Sequence, residues 1–395
     1  MTRHTAEHHA SPPGRAALRA ALLISVFSMA AFLALPMFIA AVAAHYQLDD
    51  AAIGWLGSAV GTGTAISSAG MLFLVRRVAW IRLGQGAFVL LLGGMVASLF
   101  APSWPLFVLC QCVAAIGGGA AYSLALTVLS DAPEADRWFG YSVAAQVAFQ
   151  VAAMLAGPTL VAAGGLPAVI GAFAVVYLAG LLLASRLPVE GRRAPVAVTA
   201  SPRGALPATL LALLGCFLFF FNVGVVWTYL APLAQAAAFD ADAIGNGLAI
   251  GVAFGVPGAL LAAWCGDRYS RIAMIGLGAA ATVLALWLLR GTPTFAAFVV
   301  AAAIYNLAWN FSLSFQYAAV NAIDESGRAV AVAPAFHGAG AAVGPAAGAL
   351  LVDSHGLAVV LLIGAAAVVL SALLFAAGAR LHAPHITVPA QEGSA

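Results

Sequence analysis

The sequence predicts an all-α integral membrane protein with twelve transmembrane helices in two pseudo-symmetric six-helix halves. Three observations predict it. First, the 395 residues are 64% hydrophobic and 8% charged, with a mean hydropathy of +1.03. That is more apolar surface than a soluble domain needs. Second, apolar runs of about 20 residues recur, long enough to cross a ~30 Å hydrocarbon core as helices. They are continuous rather than alternating, which argues against barrel strands. Third, the second half echoes the first at one offset of 191 positions, without a gap. Asp49 matches Asp240, Ile53 matches Ile244, Gly54 matches Gly245 and Arg77 matches Arg268. Pro102 matches Pro293, Glu134 matches Glu325, Arg137 matches Arg328 and Gly165 matches Gly356. In membrane chains, repeats of this size build many secondary transporters, with the solute site between the halves.

In chain order, residues 1–18 are a cytoplasmic tail, and spans follow at 19–43, 53–75, 83–101, 105–129, 139–163 and 167–185. These six form the N-terminal half, 19–185. The stretch 186–206 holds four arginines and three prolines and reads as a cytoplasmic linker. Spans at 207–233, 244–265, 272–290, 294–320, 331–352 and 357–378 form the C-terminal half, 207–378, and 379–395 is a second cytoplasmic tail. The first span is preceded by basic residues and contains Ala41-Val42-Ala43, like a signal-peptide cleavage site. It is longer than a usual signal core, and losing it would unpair the halves.

All 16 basic residues are arginines. With the N-terminus inside, every one except Arg290 falls on the cytoplasmic side, as the positive-inside rule requires. Both termini are then cytoplasmic. Lysine-free, alanine-rich composition is associated with GC-rich bacterial genomes and hence with an inner membrane. The expected partners are a small-molecule solute and the lipid bilayer. Nucleic acid is not expected, because the positive charge sits in short loops against the membrane. The protein is expected to act as a monomer. Cys110, Cys112, Cys216 and Cys265 lie in apolar helices and read as packing thiols, not disulfides or a zinc site. No cofactor or metal is expected.

Two six-helix halves, a basic linker and cytoplasmic termini resemble the major facilitator superfamily. The family's hallmark is a loop between helices 2 and 3 of the form Gly, three residues, Asp-Arg, then basic residues. Gly266-Asp267-Arg268-Tyr269-Ser270-Arg271 is similar to it. In the first half only Arg76-Arg77 and Arg82 survive, and Arg76 stands where Asp267 stands in the second. The resemblance implies a gating role for Asp267, Arg268 and Arg271, and a departure from the pattern at Arg76 and Arg77. Gly157-Pro158 is similar to a helix-5 feature of antiporters, with Gly344-Pro345 as a loose counterpart. Many exporters of the family carry an arginine in helix 4, where this chain has Gln111 and Cys112.

Polar groups in a bilayer are expensive and usually functional. No Asp, Glu or Arg lies near the middle of any span, which leaves His337 in the eleventh helix. Its repeat partner is Gln146 in the fifth, so the two form a pseudo-symmetric pair. His337 is a candidate for carrying a coupling proton; the alternative is a histidine bonded within a helix interface. In the tenth helix Asn306, Asn310, Ser314 and Tyr317 make one stripe, with Trp309 and Gln316 beside it. That stripe either glues helices together or lines a wet cavity. Asn222 and Tyr229 share a face of the seventh helix, near Trp227. The candidate solute-binding set is therefore Asn306, Trp309, Asn310, Tyr317, Asn222, Tyr229, Gln146 and His337. Ser142 and Gln150, Tyr122 and Ser123, and Ser25 and Ser28 are further polar positions. The glycines of the second and fourth helices, Gly117-Gly118-Gly119 among them, read as close packing. Pro36, Pro158, Pro257, Pro334 and Pro345 mark possible hinges.

Glu134 and Arg137 follow helix 4, and Glu325 and Arg328 hold the same places after helix 10. With Arg76, Arg77, Asp267, Arg268 and Arg271 they make a candidate gate of ion pairs between the halves. No catalytic residue is expected: the His/Asp/Glu sets of a membrane enzyme are missing, as is a Walker-type phosphate loop. The function expected is secondary transport of a small neutral, aromatic or weakly charged organic solute by alternating access, with possible proton coupling through His337. Drug or metabolite efflux by antiport, and uptake of monocarboxylates or aromatic acids, are the alternatives. A non-transporting membrane sensor is a more distant one.

Overall fold

The computed structural model describes residues 13–47, 50–189, 205–324 and 326–382. The described residues form α1 (Arg15–Phe27), α2 (Ala30–Leu33), α3 (Leu35–Tyr46), α4 (Asp50–Leu74), α5 (Trp80–Ser98), α6 (Trp104–Ser130) and α7 (Ala135–Ala184). They continue as α8 (Ala205–Ala236), α9 (Ala241–Ala253), α10 (Gly255–Cys265), α11 (Arg271–Leu288), α12 (Phe295–Ile323), α13 (Arg328–His355) and α14 (Val359–His382). Ten candidate spans among the described residues are long and apolar enough to cross a membrane. The first two predicted spans complete the twelve. One is the broken run α1–α3, and the other is α4, which includes the apolar stretch Val60–Leu74.

Three predicted spans are not single regular helices. The first breaks at Met29 and Ala34, the latter two residues before Pro36. The eighth breaks at Phe254, three residues before Pro257. A proline ring removes one helical hydrogen bond and crowds the carbonyl four residues back. The fifth and sixth run together as α7, with no loop between them. The direction changes at Gly164 and Gly165, where Gly165 takes φ 58°. Its repeat partner Gly356 takes φ 73° at the end of α13. Both halves thus turn at the same register position through a left-handed glycine.

Close helix approach uses the expected glycines. In α6 the consecutive Gly117, Gly118 and Gly119 face three different neighbours: the α5 backbone, the Ser28 carbonyl, and α4 at Thr64 and Ser67. Gly340 and Gly344 of α13 lie on the α8 backbone in the same way.

The halves meet along two seams. On one, α4 and α6 pack on α13; on the other, α7 packs on α10 and α12. Gly140 of α7 abuts Ala263 of α10 there. Among the described residues, α1 makes no substantial helix packing with α8 or α12, and neither does α6. These four helices therefore border the centre of the bundle between the seams.

Candidate functional site

The end of the bundle that carries the loops after α4, α6, α10 and α12 is rich in arginine and is called the basic end below. It is where the halves are tied. Arg76 donates from Nη1 and Nη2 to the Asp131 carboxylate at 2.9 and 2.8 Å, and from Nε to the Ser326 carbonyl at 2.9 Å. Its guanidinium also lies 5.2 Å from the Trp80 ring. The Arg76 and Asp131 side chains are only 4% and 0% exposed. The ion pair is thus internal to the first half, and a neutral carbonyl receives it in the second. The side chains of Asp324 and Ser326 bind the first amides of α13. Asp324 accepts from the Ala329 amide at 2.6 Å, and the Ser326 hydroxyl accepts from the Arg328 amide at 3.3 Å.

On the other seam Arg271 donates to Asp136 at 2.8 and 3.2 Å, an ion pair between the halves. Asn321 adds a bond to the Ser130 carbonyl at 3.3 Å. Both lie beside a polar cleft lined by Glu134, Arg137, Asp267 and Arg271.

The ion pairs therefore differ from the expected pairing. Glu134 binds its neighbour Arg137 at 3.0 Å, since three residues apart on a helix start places them together. Arg137 also packs on Gly266, so it meets the second half by contact rather than charge. Arg268 folds back on its own helix, onto the Trp264 carbonyl and ring. Asp267 and Arg77 are exposed, and Arg328 is half-buried. Glu325 lies outside the described residues. Asp131, Asp136 and Ser326, which make the ties, were not among the candidates. Asp131 and Asp136 flank the α6–α7 turn, and no motif separates them from Glu134.

About 9–16 Å inside the basic end, counting 1.5 Å per residue, a chain of hydrogen bonds crosses the centre. The Ser25 and Ser142 hydroxyls lie 2.6 Å apart, and Gln146 Nε2 donates to Ser142 at 3.1 Å. Gln146 also reaches the Tyr122 hydroxyl. Tyr122 and Tyr317 join the halves, hydroxyl to hydroxyl, at 3.0 Å. The Tyr317 hydroxyl lies 3.3 Å from His337 Nδ1, and His337 Nε2 lies 3.3 Å from Gln316 Oε1. The repeat pair Gln146 and His337 thus stands on either side of one tyrosine pair, both buried.

Above this chain sit rings. Phe220 of α8 lies on the His337 imidazole, with centroids 4.3 Å apart. Trp309 of α12 meets Phe220 and Trp227 edge-on at 6.1 and 6.2 Å. All three rings are half-buried.

The other candidates fall elsewhere. Asn306 and Asn310 donate to carbonyls four residues back in their own helix, at 3.0 and 2.9 Å. Asn310 lies against Gly255 and next to Val147, on the α7 seam. Asn222 exchanges bonds with Tyr305 inside the second half, at 3.2 and 3.3 Å. Tyr229 packs on Gly348 of α13. A helical stripe says which residues share a face. It does not say whether that face looks to a seam or to the centre.

The family model for the major facilitator superfamily matches residues 20–323 and 212–394. The chain belongs to that superfamily. It is a multi-pass membrane protein of a transporter family, not an enzyme. The structure is similar to that of the superfamily transporter FucP in the outward conformation, with a TM-score of 0.73 at 15% identity over 93% of this chain and 98% of that one. A bacterial homologue of the iron transporter ferroportin, in its outward-facing state, gives 0.71 at 15% identity, covering 92% and 99%. The human organic anion transporter MFSD10 gives 0.70 at 16% identity, covering 92% and 100%. These likenesses concern the fold. No curated protein matches the chain in sequence.

Proposed function

We propose that this protein is a secondary transporter that moves a small neutral, aromatic or weakly charged organic solute by alternating access, as a monomer. The observation that carries this reading is the hydrogen-bonded chain between the halves, roofed by the Phe220, Trp227 and Trp309 rings. Solute on these rings contacts the second half and reaches the first through the Tyr317–Tyr122 bond, so it can bias their relative position. The superfamily members of like structure carry sugars, organic anions and iron, which fits a small-solute role.

The basic end faces the cytoplasm in this reading, in a bacterial inner membrane with both termini inside, by the positive-inside rule. The ties between halves among the described residues all lie from the tyrosine pair towards that end. The conformation is then outward-facing.

His337 carries the coupling proton. Around it stand Tyr317 and Gln316 of α12, Phe220 of α8 and, through Tyr317, Tyr122 of α6 and Cys216 of α8. A proton on Nδ1 reverses the bond to Tyr317, which then donates to Tyr122. The contacts among Tyr122, Tyr317 and His337 are kept, and the Tyr122 O–H is released from Tyr317.

The test is ligand-induced thermal stabilisation across neutral aromatics, monocarboxylates and organic cations, followed by uptake of each hit into proteoliposomes. Uptake that acidifies the lumen in wild type, but not in His337→Gln, supports the reading. Binding without any flux overturns it in favour of a sensor.

A further inference from the structure

The direction of the hydrogen bonds in the central chain can be deduced, and it leaves a specific remainder. The Gln316 carbonyl oxygen faces His337 Nε2 and sets the direction from that end, while at the other end the Gln146 amide donates to Ser142. Tyr122 then donates to Tyr317, and Tyr317 to His337 Nδ1. A neutral imidazole with Nδ1 accepting carries its proton on Nε2, which donates to Gln316 Oε1. The hydroxyls of Ser142, Tyr122 and Tyr317 and both ring nitrogens are then engaged. What remains is the Gln316 Nε2 amide, without a partner although the residue is 0% exposed. Beyond Phe220, the buried Trp309 Nε1 is also without a partner. Both leftovers are donors. A buried donor without an acceptor is costly, so such groups mark a place where an acceptor arrives.

From this we infer that the solute has a head group made only of hydrogen-bond acceptors, a carboxylate or a carbonyl, on an aromatic or apolar body. The head takes the Gln316 amide and the Trp309 indole N–H, beneath and beside the Phe220 ring. The body lies on Phe220 and Trp227. An ammonium head meets two unpaired donors there, and among the described residues no carboxylate approaches the cluster. This inference rests on the transporter reading above and narrows its substrate class. Specificity of this kind is steep, because a buried polar group left unpaired penalises the wrong ligand.

The probes are phenylacetate, methyl phenylacetate and phenethylamine, which share a body and differ in the head. Binding to the purified full chain is read by thermal shift and calorimetry. Phenylacetate and its ester bind, and the amine does not. A charged-acceptor site favours the acid over the ester, and a carbonyl site binds both alike. Gln316→Glu keeps the acceptor for His337 but removes the donor, and weakens both acceptor ligands about tenfold or more. Trp309→Phe keeps the ring, removes the other donor and weakens them as well. The inference is overturned if the amine binds as well as the acid, if both variants bind like wild type, or if none of the three probes binds. Opening of the basic end is followed separately, by cysteine labelling at Ser130 in the same protein. Failed binding with an end that still opens and closes removes the substrate class and leaves the transporter reading. A basic end that never opens removes both.

Discussion

Asn321 donates to the carbonyl of Ser130, and the two residues are 191 positions apart. They hold the same place in the two repeats, at the ends of α12 and α6. Equivalent residues of two halves can touch only beside the axis that relates them. The axis is therefore sealed at the basic end in this conformation.

Linking this pair should arrest the cycle. In a background with Cys110, Cys112, Cys216 and Cys265 replaced, Ser130→Cys with Asn321→Cys is expected to react with a short bifunctional thiol reagent. Transport is lost on linking and restored when a cleavable linker is reduced. Linked protein that transports at the unlinked rate would show that the seal does not need to open.

The two other ties are unequal, and mutation should reveal it. Arg76→Ala removes the guanidinium that both Asp131 oxygens bind in a buried pair, a change that costs about 3–5 kcal/mol in comparable pairs. Arg271→Ala should cost only ~0–1 kcal/mol, since the Arg271 side chain is 39% exposed and the adjoining cleft admits water to Asp136. Apparent melting temperatures in detergent check the order. Equal losses for the two variants would contradict it.

The sequence carried the fold because composition, span length and the 191-residue register act along the chain. Even the left-handed turns at Gly165 and Gly356 stand in that register. The centre was partly legible for the same reason: polarity and the repeat single out Gln146 and His337. Contacts across the chain were not. Asp131 and Asp136 differ from Glu134 only in which way the α6–α7 turn points them, and local sequence does not encode that. Asn222 and Tyr229 do share a face of α8, but that helix packs on α12, α13 and α14 together. Asn222 turned to Tyr305, and the aromatic Phe220, unremarkable in an apolar run, took the place over His337.

Glycines in similar helices should respond in opposite ways. A methyl group at Gly117 meets the backbone of Ala87 and Leu91, so Gly117→Ala forces α5 and α6 apart. Overpacking of this kind costs about 1–3 kcal/mol. Gly93 in α5 has nothing within 4 Å of such a methyl. Gly93→Ala should be neutral or add up to about 1 kcal/mol through helix propensity. Melting temperatures of the two variants, made singly, are the comparison; a loss at Gly93 as large as at Gly117 would refute the packing account.

Proton coupling through His337 makes a prediction with a definite sign. If loading needs the imidazolium, uptake rises as the external pH falls. His337→Gln removes the titrating group and should flatten the profile, while its amide still spans part of the distance between Tyr317 and Gln316. Tyr317→Phe is more informative. It removes a hydrogen bond from both forms of the imidazole, and the bond to the charged form is the stronger of the two, so loading requires more acid. The profile of Tyr317→Phe should keep its shape and move to lower pH. Uptake measured over a pH series in proteoliposomes separates the cases. A profile that is flat in wild type, or one that moves to higher pH in Tyr317→Phe, would mean that the proton is carried elsewhere.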